Sequence, residues 1–281
     1  MTFPHTGPGE HQLTLSDPPY PRLVEKALSG GNTHEVIVRI DGTVHRPTGP
    51  WTPGVHALLG HLEEQGFDGA PRVRGIDEQG REVLDYVEGE VVHPDNDRLL
   101  VSDAALAEVV VSIRRFHDAV ESFADPERFQ WSDRGGDPRG PHEILCHNDL
   151  APWNLVHTPD GRWAFIDWDF AAPGRRSWDL AFALLSMVPL MPKSHLTKQR
   201  TAERITLFRN AYGPNEFPDD VLAVAAERCA REGDLIDRLG AAGEPPYDRL
   251  LREGHSEIWH AAEAHVVGQT PDWQAALNAL G

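Results

Sequence analysis

Apolar residues alternate along the first part of the chain and recur at helical spacing from Ser102 onward. Leu23-Val24-Glu25-Lys26-Ala27-Leu28 has the profile of a strand, Ser29-Gly30-Gly31-Asn32 breaks it, and Val36-Ile37-Val38-Arg39-Ile40 resumes the β pattern. Asp41-Gly42 predicts a tight hairpin turn into a short strand, Thr43-Val44-His45-Arg46. Pro53 predicts the first turn of a helix with Val55, Leu58, Leu59 and Leu62 on one face, closed at Gly66. Strands at Arg72-Val73-Arg74-Gly75-Ile76 and Glu82-Val83-Leu84-Asp85-Tyr86-Val87, joined by the turn Asp77-Glu78-Gln79-Gly80, complete a small antiparallel sheet carrying one helix.

Ser102 predicts an N-cap for a long amphipathic helix, Asp103 to Phe123, with Leu106, Val109, Val110, Ile113 and Phe116 on one face. A Gly/Pro/Arg loop runs from Asp133 to Pro141. Two strand-like runs, Leu155-Val156 and Trp163-Ala164-Phe165-Ile166, flank the Pro159-Asp160-Gly161 turn. From Trp178 the pattern is helical, with loops at Gly213-Pro214 and Gly243-Glu244-Pro245-Pro246. The expected fold class is α+β: a leader over residues 1–21, a small β-rich lobe over 22–90 ending in a hinge near Glu88-Gly89, and a larger helical lobe over 91–281.

The 281 residues are 40% hydrophobic, enough for a sizeable core. With 44 acidic and 26 basic residues the net charge is -18. Up to Glu90 there are 14 acidic against 7 basic residues, so the acidity runs through both lobes and is not a tail. Such a surface repels phosphate backbones and anionic bilayers, which argues against nucleic acid and membrane partners. Plain solubility and the steering of a cationic ligand both remain open as its purpose. The most apolar stretch, Leu180 to Met191, contains Pro189 and is too short to span a bilayer, and Met1 to Pro21 lacks the pattern of a signal peptide. Two cysteines, Cys146 and Cys229, make neither a disulfide framework nor a zinc cluster. They fit a reducing compartment, so a cytoplasmic location is expected.

Chemistry concentrates in Cys146-His147-Asn148-Asp149-Leu150-Ala151-Pro152-Trp153-Asn154 and, thirteen residues after Asn154, in Asp167 of Phe165-Ile166-Asp167-Trp168-Asp169. The spacing His-x-Asp-x-x-x-x-Asn, then a turn, then an apolar strand ending in Asp, matches the catalytic loop and metal-binding segment of protein kinases. Phosphoryl transfer needs a carboxylate to accept or orient the proton of the attacking hydroxyl, which suits Asp149. It also needs hard oxygen ligands for Mg2+, which suits Asn154 and Asp167.

On these residues, with Asp179-Leu180-Ala181 further on, the chain resembles the aminoglycoside phosphotransferase family, and its stretch from Leu28 to Val91 looks like the phosphotransferase members grouped with trifolitoxin immunity proteins. Those enzymes carry His-Gly-Asp-x-x-x-x-Asn, then Ile-Asp-Trp/Phe-Glu/Asp and a later Asp-Leu-Ala. The resemblance implies a protein-kinase-like two-lobe fold, ATP or GTP as phosphoryl donor, Mg2+, and a small-molecule hydroxyl as acceptor. His147 is expected to tie the loop to its neighbours. Asp179 is expected either to hold the loop through backbone N–H groups or to cap its own helix. Asp169 is either a support of the metal segment or solvent-facing.

The nucleotide side departs from the protein-kinase pattern. Gly30, Gly31 and Asn32 offer backbone N–H groups to phosphates or make a plain turn. Only three lysines exist, Lys26, Lys193 and Lys198, and Arg46 stands where kinases place the phosphate-binding lysine. No Glu sits near Val55-His56-Ala57 to orient Arg46, and Glu63 and Glu64 come too late, so another carboxylate or the triphosphate must do so. The backbone of Asp85 and Val87 in the hinge is expected to meet the purine edge.

Three readings compete: a small-molecule kinase, a kinase-like protein that sequesters its ligand without turnover, and a metal-dependent hydrolase. The hydrolase reading lacks ligands at His-x-x-x-His spacing. The acidic residues Asp219, Asp220, Glu232, Asp234, Asp237 and Glu257 suit a cationic acceptor, such as an aminoglycoside, or are solvated helix faces.

Overall fold

A computed structural model of the protein describes residues 25–27, 37–92, 102–139, 142–188, 190–192, 194 and 196–280. The N-terminal region is a five-stranded antiparallel sheet in the order β1-β2-β3-β5-β4. Its strands are β1 (Glu25–Ala27), β2 (Val38–Ile40), β3 (Thr43–Arg46), β4 (Val73–Ile76) and β5 (Glu82–Asp85). Val38 and Ile40 are buried with Arg39 between them, the alternation of a sheet covered on one face. Asp41 adopts φ 50°, the left-handed geometry that a tight hairpin turn requires. The turn fixes the register of β2 on β3, and β3 in turn pairs with β5 so that Arg46 stands opposite Glu82.

Helix α1 (Thr52–Glu64) begins with Pro53 in its first turn and buries Val55, Leu58, Leu59 and Leu62 completely. Gly66 closes it as expected, with φ 72° and its N–H on the Glu63 carbonyl. Those apolar side chains join one continuous core with Val109, Val110, Ile113 and Phe116 of α2 (Asp103–Val120), whose N-cap Ser102 accepts the Ala105 N–H. Helix α2 stops three residues before the expected Phe123. The chain turns after Val120, and the Phe123 ring packs against Phe129 and Trp131 instead.

The C-terminal part is mainly helical: α3 (Arg176–Met187), α4 (Lys198–Tyr212), α5 (Val221–Ala241), α6 (Tyr247–Arg252) and α7 (His255–Leu280). The apolar run that begins at Leu180 is the interior of α3, almost wholly buried, and no helix among the described residues is long and apolar enough to cross a membrane.

Two small sheets position the site. One has the order β6 (Glu90–Val91), β8 (Leu155–His157), β9 (Trp163–Phe165). The other pairs β7 (Ile144–Cys146) with β10 (Ala172–Gly174), which the pattern did not predict because Ala172-Pro173-Gly174 has no β-branched residue. The loop from His147 to Asn154 leaves β7 and enters β8, and the Asp167 segment runs from β9 to β10. At the connector Gly89 has φ 150°, and a Cβ there would lie 2.4 Å from the His157 carbonyl oxygen, so only glycine lets β6 pair with β8. The leader and Ser29-Gly30-Gly31-Asn32 lie outside the described residues.

Candidate active site

Asp179, in the first turn of α3 and fully buried, accepts the backbone N–H groups of His147 (2.9 Å) and Asn148 (2.8 Å). His117 of α2 meets the same carboxylate at 3.2 Å and the Tyr212 hydroxyl at 2.9 Å. Burial pushes the Asp179 carboxyl up, but the bonds from His117 and the loop outweigh it and hold it below the ordinary carboxylate value. Asp179 thus grips the loop, and the N-cap position of its own helix belongs to Arg175.

Asn148 occupies the position where the family's motif has glycine, and its φ of 67° explains that glycine. Asparagine is among the few residues that accept this geometry. Its side-chain amide donates to the Phe170 carbonyl (2.8 Å). His147 is buried and saturated: its Nδ1 accepts the Asp149 N–H (3.3 Å), and its Nε2–H donates to the Ile166 carbonyl (3.2 Å). Loss of solvent on burial pushes its pKa down to about 4, and its two bonds link the Asp149 N–H to the Ile166 carbonyl.

The Asn154 amide donates through Nδ2 to the Asp149 carboxylate (2.7 Å) and carbonyl (3.0 Å), which leaves its Oδ1 unused by Asp149. Burial, reinforced by the charge of nearby Asp167, pushes the Asp149 carboxyl up to about 7. Asp167 follows β9 in a left-handed conformation (φ 64°) and keeps its side chain 39% exposed. Asp167 and Asn154 suit a hard cation that completes its shell with phosphate and water oxygens. Among the described residues no group of three or more His, Cys, Asp or Glu side chains is arranged to hold a metal.

Arg46 is buried, and its guanidinium meets three carboxylates: Nε donates to Glu82, Nη1 lies 3.3 Å from Asp167, and Nη2 lies 2.7 Å from Asp169. Asp169 is therefore a partner of Arg46 and not solvent-facing. No acidic residue of α1 reaches Arg46, as the sequence indicated; Glu82, itself buried, supplies the carboxylate, and His56 of α1 bonds the other Glu82 oxygen at 2.9 Å. Sequence reading missed Glu82 because it starts an ordinary-looking strand 36 residues from Arg46. The signal was the pairing register, which only the assembled sheet reveals. In the hinge, the Asp85 N–H is spent on the Arg72 carbonyl (2.8 Å) and the Asp85 carboxylate on Arg74. A cavity of about 380 Å³ beside the connector is lined by Asp85, Tyr86 and Val87, and none of Arg46, Asp149, Asn154 or Asp167 lines it.

Of the acidic residues in the later helices, Asp219, Asp234 and Glu257 are exposed and Asp237 binds His260 at 2.9 Å. Asp220 lies 3.7 Å from Arg175. Glu232 differs. It points inward, 3.2 Å from buried Arg228, and its charge contributes to the raised Asp149.

Residues 130–219 match the phosphotransferase enzyme family. The trifolitoxin immunity protein of Rhizobium leguminosarum bv. trifolii is 40% identical over 162 residues, which span 57% of this chain and 60% of that relative. Among solved structures, an amicoumacin kinase in complex with AMP-PNP, Ca2+ and Ami has a TM-score of 0.60 at 14% identity, covering 84% of this chain and 87% of that one. A choline/ethanolamine kinase family protein from Mesorhizobium loti follows at TM-score 0.58 and 16% identity, with 91% of each chain covered. An aminoglycoside phosphotransferase from Alicyclobacillus acidocaldarius gives 0.53 at 16% identity, covering 93% and 92%. At these identities the likeness is one of fold, and the fold is the two-lobed, kinase-like α+β architecture read from the sequence.

Proposed function

We propose that the protein is a phosphotransferase that moves the γ-phosphate of ATP or GTP to a hydroxyl of a small molecule. The observation that carries this reading is the convergence of Asp149, Asn154, Asp167 and Arg46 on a loop held by Asp179. Residues 22–90 then form the nucleotide lobe, and 91–281 carry the catalytic loop and the acceptor side. Asp149 accepts the acceptor's hydroxyl proton as general base, held in place by the Asn154 amide at 2.7 Å. Asn154 and Asp167 hold Mg2+, which when bound neutralises phosphate charge. Arg46 clamps phosphate oxygens, and Asp169 steadies it at 2.7 Å. The Asp85 carbonyl and Val87 meet the purine edge.

An antibiotic is the acceptor class we favour, for resistance or self-immunity, because one structural neighbour is an antibiotic kinase and one sequence relative an immunity protein. Glu232 beside Asp149 suits a cationic acceptor. Two buried free thiols fit a reducing cytoplasm. An Arg46 with no carboxylate to orient it would favour the sequestering protein; its bond to Glu82 weighs for the kinase. The test is a screen for ADP and GDP release over antibiotics and hydroxylated metabolites, with Asp149→Asn as control. Absence of release across the panel, together with tight binding of one compound, would put sequestration first.

A further inference from the structure

Arg46 and Glu82 face each other across the β3–β5 ladder, so their side chains leave the sheet on one face as directly opposed neighbours. Glu82 takes the guanidinium through Nε, which turns both Nη atoms toward Asp167 and Asp169. Its second oxygen is held by His56 of α1. Without that contact the carboxylate is free to swing and compete for an Nη atom. The carboxylate is 2% exposed, so solvent cannot take over either bond.

We infer that Glu82 is the positioning residue of the phosphate clamp and that His56 locks it, so the sheet, not helix α1, supplies the orienting carboxylate. Helix α1 contributes only a neutral or cationic ring to this arrangement. The guanidinium is thereby oriented before any ligand arrives, with both Nη atoms directed at the Asp167-Trp168-Asp169 segment. This inference rests on the phosphotransferase reading above.

Calorimetry or a fluorescent-nucleotide competition assay with MgATP, MgGTP and adenosine as probes tests it. Glu82→Gln is expected to weaken the preferred Mg-nucleotide about tenfold, the scale of one misdirected charge-assisted bond, while adenosine affinity stays unchanged. Combined with Arg46→Ala, Glu82→Gln should add nothing, because the two act through one group. His56→Ala should weaken Mg-nucleotide binding several-fold, and His56→Gln, which retains a donor, should restore most of it. The His56 pair keeps the test open if Glu82→Gln does not fold. Equal weakening of Mg-nucleotide and adenosine, wild-type affinity in Glu82→Gln, or failure of His56→Gln to rescue would overturn the role given to Glu82 and His56. Failure of the wild-type protein to bind either Mg-nucleotide is a separate outcome: it removes the phosphotransferase reading, and this inference with it.

Discussion

The guanidinium of Arg228, on α5, donates to the backbone carbonyl of Asn148 at 2.9 Å. It also donates to the Gly135 carbonyl at 2.9 Å and lies over the rings of Trp178 and Phe182. The loop is thus gripped on both polarities: Asp179 takes the His147 and Asn148 N–H groups, and Arg228 takes the Asn148 carbonyl that follows them. Arg228→Met should leave two buried carbonyls and Glu232 uncompensated and cost about 3 kcal/mol or more in urea unfolding. Arg228→Lys should recover little, because one ammonium cannot span both carbonyls.

Asp149→Asn is expected to lower kcat at least about a hundredfold while nucleotide affinity holds, the size of a general-base contribution. Its Asn154 contact can persist through the amide oxygen, so the fold is not the variable. Near-normal turnover would remove Asp149 from the chemistry.

Asp167→Ala should abolish metal-dependent nucleotide binding without unfolding the chain, because the side chain is 39% exposed and Arg46, which it meets at 3.3 Å, keeps Glu82 and Asp169. Titration of ATP with and without Mg2+ separates the two effects. Equal Mg2+ dependence in variant and wild type would place the metal elsewhere.

His147 gives the expected acid sensitivity. Both ring nitrogens are already engaged, and protonation would set an Nδ1–H against the Asp149 N–H. Between the ordinary value of 6.5 and about 4, the unfolded chain binds this proton and the folded chain does not. Stability should therefore fall as pH drops through that window, at up to about 1.4 kcal/mol per pH unit from this group. In His147→Gln, urea midpoints measured from pH 7 to 4 should show a shallower fall. Identical slopes would mean that other groups carry the acid response.

Much of the candidate site was legible because its residues lie within one short stretch and are of the types that phosphoryl transfer would require. Asp149, Asn154, Asp167 and Asp179 are all brought together where spacing put them. What escaped depends on partners distant in the chain. Glu82 and Arg228 read locally as a strand-end charge and as an i,i+4 surface pair with Glu232, and only the strand register and the burial of α5 reveal them. The β7–β10 pair escaped for a related reason: Ala172, Pro173 and Gly174 take strand form because Ile144, Leu145 and Cys146 lie alongside them, not from their own preference.

Leu58, Leu59 and Leu62 of α1 are sealed in the same apolar cluster as Ile113 and Phe116 of α2 and Phe165 of β9. The two sides of the cleft are therefore not two folding units. A fragment ending at Glu90 would leave the α1 surface that Ile113, Phe116 and Phe165 cover open to water, and it should remain unfolded or aggregate. The intact chain should melt in one cooperative transition, with backbone amides of α1 and α2 exchanging at the same global rate. The connector at Gly89 then joins two regions that are distinct in architecture but not in folding: a shared interior obliges both to form or vanish together.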